Sequence, residues 1–147
     1  MLVSEFFTLS EAAAWGGYLS THGRLNKLIE ENLRRTAGLS HAEYEVLLRL
    51  FLSEDGRLRI QALAAESVLT HSGTSRLVDR LEGAGLVERV EAIEDRRGAY
   101  ASITARGREH FEATARQHHV FVRELFLQHF SDAELQTMAS FWDRLDP

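Results

Sequence analysis

The sequence predicts a mainly α-helical domain that carries one small β-hairpin. Three observations lead there. Apolar residues recur at three- and four-residue spacing through both ends of the chain. One short stretch, residues 87–92 and 99–103, alternates apolar with polar instead. Ser-x-x-Glu signatures stand where two of the helical stripes begin, at Ser40 and Ser131. With 147 residues, 44% of them hydrophobic and 27% charged, the chain has the length and composition of one globular domain, residues 1–147, with a core of its own.

Each element follows from local chemistry. Leu25, Leu28, Ile29 and Leu33 form one stripe of a long first helix, which Gly38 ends. Ser40-His41-Ala42-Glu43 opens a second helix whose apolar face runs through Val46, Leu47, Leu50 and Phe51, and Glu54-Asp55-Gly56 closes it. Leu63, Ala64 and Val68 mark a short third helix. Thr70 is the expected N-cap of a fourth, with Gly73, Thr74, Leu77, Val78 and Leu81 inward and Gly85 as the stop. That phase leaves Ser72, Ser75, Arg76, Asp79 and Arg80 on the outward face. The hairpin has Glu94-Asp95-Arg96-Arg97-Gly98 as its polar turn. Thr104 caps a long helix expected to run to about Phe130, and Ser131-Asp132-Ala133-Glu134 opens a last one through Leu135, Met138, Ala139, Trp142 and Leu145.

Composition excludes several kinds of chemistry. Without cysteine there are no disulfides, thiolate metal sites or thiol-based redox sensing. No Gly-x-Ser-x-Gly elbow or phosphate-cradling glycine loop is present, and the adjacent pairs Ser40-His41 and His71-Ser72 read as caps or surface residues, so no enzyme is expected. The seven histidines include no His-x-x-x-His pair; no metal site and no cofactor are expected, and a zinc-responsive regulator is kept only as an alternative. No apolar run approaches the roughly 20 residues that span a bilayer, and the N-terminus lacks signal-peptide character, so a cytoplasmic protein without a membrane partner is expected.

The formal net charge of −5 argues against a nucleic-acid partner, but its distribution does not. Residues 71–108 hold seven arginines against six acidic residues, so the acidic excess lies elsewhere. A short helix, a tight turn and a second helix with a polar outward face is the layout of a helix-turn-helix. Serines at 72 and 75 permit close approach to DNA, and an arginine can read guanine with two hydrogen bonds. A solvated helix face is the plain alternative for the same residues. The hairpin adds adjacent arginines at its tip, with Asp95 placed to hold Arg97.

The stretch Thr70 to Arg89 (THSGTSRLVDRLEGAGLVER), then Asp95-Arg96-Arg97, then Ile103-Thr104-Ala105-Arg106-Gly107, resembles the MarR (multiple antibiotic resistance regulator) family. The resemblance covers nearly the whole chain. It implies a winged helix-turn-helix at about 37–107, flanked by dimerisation helices at about 1–36 and 108–147. The implied protein is a homodimeric transcriptional repressor or activator, with repression the expected role, bound to a pseudo-palindromic site on double-stranded DNA. Carried over by position, Ser72, Thr74, Ser75, Arg76 and Arg80 fall on the recognition helix, Asp95, Arg96 and Arg97 on the wing, and residues 58–60 on a short strand beside it. Gln61 departs from the serine cap common at the third helix, and Ile103 replaces the commoner leucine. A winged helix used only for protein contacts is the other alternative.

Ten of the thirteen aromatic residues lie outside 37–107, more bulk than one small domain buries, which independently predicts a partner chain. The resemblance also implies a small aromatic or phenolic effector, held where the dimerisation helices meet the DNA-binding lobe. By position Trp15, Tyr18, His22, Asn26, Tyr44 and Arg116 are the candidate lining, and each reads equally well as an ordinary core or interface residue.

Overall fold

The computed structural model describes residues 6–65, 71–91 and 98–145. In chain order these form α1 (Leu9–Ala37), α2 (His41–Leu52), β1 (Arg57–Arg59), α3 (Ile60–Ala65), α4 (His71–Gly83), β2 (Val87–Glu91), β3 (Ala99–Ile103), α5 (Ala105–Leu125), a 3-10 turn (Leu127–His129) and α6 (Asp132–Trp142). Two compact units divide the chain, Met1–Phe111 and Glu112–Pro147. The predicted class is the observed one: a mainly helical winged helix with a small sheet.

Capping accounts for where the helices start and stop. Thr8 opens α1 with a capping box, its hydroxyl accepting from Glu11 N at 3.2 Å while Glu11 Oε2 accepts from Thr8 N at 2.7 Å. Gly38 closes α1 in the left-handed region (φ 70°), and Leu39 N then donates to Leu33 O at 3.4 Å. Ser40 and Glu43 form the same box at the start of α2, and Ser131 and Glu134 at the start of α6. Glu30 joins α1 to the next helix: it accepts from His41 N at 2.6 Å and from Arg34 Nε at 2.7 Å.

The hairpin is part of a three-stranded antiparallel sheet in the order β1-β3-β2. Val87 pairs with Ile103 and Glu91 with Ala99 on one side of β3, Arg57 with Ser102 and Arg59 with Tyr100 on the other. The first strand lies one residue earlier than expected. Ile60, 4% exposed, already belongs to α3 and turns inward with Leu63, so the strand cannot include it. Gln61 is accordingly a helical residue and not a cap. Val68 and Thr70, expected in the third helix and as a cap, lie outside the described residues.

Leu33, Leu47, Leu50, Val78, Leu81, Val87 and Ala101 form the center of the first unit's core, each under about 3% exposed. Phe111 packs on Phe51 (ring centroids 4.7 Å apart) and on Tyr44 (5.5 Å). The junction after the sheet is tight. Thr104 N donates to Leu86 O at 3.1 Å, its hydroxyl donates to Gly85 O at 2.8 Å, and the same oxygen accepts from Gly107 N at 2.9 Å. A Cβ at Gly107 would lie 2.0 Å from Leu86 O, so this position of the Ile-Thr-x-x-Gly segment has no room for a side chain.

In the second unit the long helix ends at Leu125, short of the expected Phe130. The Ser131 capping box requires an extended backbone at its N-cap (φ −71°, ψ 161°), and Phe130 before it is also extended. The chain therefore leaves the helix early and turns through residues 127–129. Phe126 and Phe130 pack across that turn with tilted rings, centroids 5.1 Å apart, and Phe130, Ala133, Met138 and Phe141 line an open apolar cleft beside α6.

Candidate nucleic-acid interface

Helix α4 owes its position to its buried stripe. Thr74, Leu77, Val78 and Leu81 are each at most 4% exposed. Burial corrects one expected contact. The Thr74 side chain, 1% exposed, is part of the core, so it cannot meet an outside partner; its place in the helical period, and not the resemblance, decides its role. Arg76 lies on the opposite side, exposed, with no hydrogen-bond or ion-pair partner among the described residues. Ser72 falls in the first turn of α4, and its side chain lies outside the described set. Asp95, Arg96 and Arg97 lie outside it as well.

The other two expected helix contacts are engaged within the protein. Arg80 Nε donates to Glu43 Oε1 at 2.7 Å, and Glu43 Oε2 accepts from Ser40 N at 2.7 Å. The Glu43 side chain is only 10% exposed, whereas that of Arg80 is 57% exposed. Burial pushes the Glu43 carboxyl up, but the Arg80 guanidinium and the Ser40 hydrogen bonds outweigh it and hold the group below the usual carboxylate value. One carboxylate thus caps α2 and fastens α4 to it.

Ser75 meets a residue that the sequence reading passed over. Arg89 Nη2, from β2, donates to Ser75 Oγ at 3.0 Å, to Ser75 O at 3.1 Å and to Asp79 Oδ1. Glu82 Oε1 accepts from the backbone N of Arg89 at 3.1 Å, and Glu82 Oε2 lies 3.7 Å from Arg89 Nε. A signal for this existed. In an alternating strand Arg89 shares the face of buried Val87, and Ser75, Asp79 and Glu82 are spaced i, i+4, i+7 along one helical stripe.

Of the six candidate effector residues, five belong to the first unit. Four make a ladder along α1: Trp15 stacks on Tyr18 and Tyr18 on His22, with centroids 5.7 Å apart in both cases, and Asn26 Nδ2 lies 3.0 Å from His22 Nε2. Tyr44 is buried against Phe111, and burial first and the charge of Glu45 second raise its phenol. Arg116 belongs to the second unit. Among the described residues no three His, Asp or Glu side chains come together as a metal site, and no helix is long and apolar enough to cross a membrane.

The model of the MarR family matches residues 37–98. The chain is 27% identical over 106 residues to the HTH-type transcriptional regulator PrsX of Escherichia coli, a match covering 70% of this chain and 64% of PrsX; it thus spans just under two thirds of that curated relative. Its fold superposes on AbsC, a MarR family transcriptional regulator of Streptomyces coelicolor, with a TM-score of 0.88 and 30% identity over 95% of this chain and 94% of AbsC. It also superposes on Sco3205, a MarR family regulator of the same organism solved in complex with DNA, with a TM-score of 0.90 and 29% identity over 95% of this chain and 88% of Sco3205.

Proposed function

The chain belongs to the MarR family of transcriptional regulators, and on that premise we propose that it binds a pseudo-palindromic DNA site as a homodimer and represses transcription there. The observation that carries this reading is Arg76: a guanidinium on the exposed face of α4, free of partners among the described residues, on a helix fastened at both flanks. A rigid helix with a free arginine and small neighbors is what major-groove reading needs. The complex of Sco3205 with DNA supports the same use of the fold.

In this reading Arg76 reaches a base edge, with Ser72 and Ser75 allowing close approach, and Arg80 contributes its exposed outer face. Arg96 and Arg97, the latter held by Asp95, enter the adjoining minor groove. The homodimer draws support from the distribution of apolar surface. Of twelve exposed large hydrophobic side chains among the described residues, ten lie on α1 or just before it, or from α5 onward. A dimer lying along the duplex covers DNA that a polymerase requires, which is the physical basis proposed for repression. The exposed Trp15–Tyr18–His22 ladder offers flat faces to a planar aromatic effector, with Asn26 as a polar end.

Selection of binding sites from random duplexes, followed by gel-shift titration, tests the proposal. A recurrent pseudo-palindromic sequence should emerge, and the complex should contain two chains. Enrichment of no sequence, or equal affinity for selected and scrambled duplexes, would rule the reading out.

A further inference from the structure

We infer that Arg89 is a positioning residue for DNA reading, which fixes the rotation of α4 about its own axis without touching DNA. The role rests on the DNA-binding reading above and assigns a function to a residue outside the expected contact set.

The geometry is that of one planar group against one helical stripe. At about 100° per residue, Glu82, Ser75 and Asp79 occupy an arc of α4 about 60° wide. Arg89 engages all three from β2: Ser75 through its hydroxyl at 3.0 Å and its carbonyl at 3.1 Å, Asp79 through Oδ1, and Glu82 through the Arg89 backbone N at 3.1 Å. On the same wheel Arg76 stands about 60° beyond Asp79, and Arg80 about 40° beyond Arg76. Arg80 is held on its far side by Glu43 of α2. Arg76 therefore projects between two latches, one to α2 and one to the wing strand.

Stability is a poor explanation for the Arg89 latch. The side chains of Asp79 and Glu82 are 60% and 44% exposed, and ion pairs that open to water add little to folding. A guanidinium fork bonded to several acceptors does restrict orientation, because its donors are fixed in one plane. Twisting α4 by a fraction of a turn would break the Ser75 and Asp79 bonds and swing Arg76 off a base edge. Two acidic side chains also surround Arg89, which makes that flank of α4 a poor surface for phosphate.

The test uses the full chain and the duplex that the wild type selects. Arg89→Met should weaken binding about five- to a hundredfold, the range set by the base contact that Arg76 loses when α4 turns. The slope of log affinity against log salt should stay at the wild-type value, since no phosphate contact is lost. Arg89→Lys should recover only part of the affinity, because an ammonium keeps the charge without the fork. Combining Arg89→Met with Asp79→Asn should cost no more than Arg89→Met alone. In the free protein, amide hydrogen exchange across residues 75–82 should quicken in Arg89→Met while the melting temperature barely moves.

A salt slope reduced by about one per arm, full activity of Arg89→Lys, or additive effects in the double variant would show a direct phosphate contact and overturn the positioning role. Unchanged exchange in a chain that binds DNA normally would overturn it as well. If the wild type selects no duplex, the DNA-binding reading fails first, and the positioning role falls with it even where the exchange result holds.

Discussion

Replacing Glu43 by Gln removes one charge from the seam between α2 and α4 and leaves the side-chain shape almost unchanged. The carboxylate accepts from Ser40 N through Oε2 and from Arg80 Nε through Oε1, both at 2.7 Å. An amide can offer its oxygen to one of those donors but must turn an NH2 toward the other. Losing part of the capping box costs about 0.5–1 kcal/mol. Losing a hydrogen bond to a charged partner would cost about 1.5–3 kcal/mol if both groups were buried. Arg80 is 57% exposed and regains water when released, so about 1 kcal/mol is the better figure for that part. Only one of the two contacts is lost, so Glu43→Gln should destabilise the protein by about 1 kcal/mol at neutral pH. The pH dependence has a definite sign. The folded carboxyl titrates below its ordinary value of 4.5, so its contribution is complete above that value and is lost as pH falls through the lower folded value. Urea unfolding of both proteins at one fixed protein concentration, from pH 7 to pH 3, measures this. The gap in stability should be widest at neutral pH and close on acidification below about 4.5. A gap that stays constant over the whole range, or none at neutral pH, would refute the assignment of Glu43 as a charged latch.

Gly107→Ala sets a methyl against Leu86 O and Ile103 Cγ1, at 2.0 and 2.9 Å, and should cost about 2 kcal/mol or more even after the gain in helix propensity; calorimetry should show a lowered melting temperature, and an unchanged one would mean that Leu86 moves freely. Arg97→Ala should weaken binding to all related sites alike and reduce the salt slope by about one per arm, whereas Arg76→Ala should cost about 1–3 kcal/mol per half-site and relax preference at one base pair; salt-series titration against single-base variants checks both, and the reverse pattern would exchange their roles. Hydrogen peroxide should leave DNA affinity unchanged, because the chain has no cysteine; a loss restored by thiol would contradict that. Removing residues 131–147 should dissociate or aggregate the dimer in light scattering, and a truncated chain that stays dimeric and folded would count against the terminal helices as the interface.

Much of the fold was legible because its determinants are local. Ser40 and Ser131 announce their helices through a Glu three residues on, Gly38 and Gly85 sit at positive φ where stops were expected, and β3 runs over the expected 99–103. The same signature, Thr8 with Glu11, opens α1. The early end of α5 depends on competition between a continuing helix and the cap that follows, which periodicity alone does not weigh. The latches of the candidate interface are of another kind. Arg80 and Glu43 are 37 residues apart, and no spacing rule within a helix joins them. Arg89 was countable as a charge, but its partners appear only when the strand and helix phases are combined. Thr74 shows the converse: its inward phase was legible from Leu77, Val78 and Leu81, and the positional resemblance obscured it.

Holding and reading fall to different side chains on α4. Glu43 and Arg89 set how the helix is mounted, through Arg80 on one flank and Ser75, Asp79 and Glu82 on the other, while Arg76 projects between them. On the proposed role, a change at position 72 or 76 alters the target that is recognised and leaves the mount intact. Retargeting is then open to single steps through folded, aligned intermediates. A change at 43, 80 or 89 disturbs every contact that the helix makes and calls for a second change to restore it, so variation that redirects this regulator should accumulate between the latches and not in them.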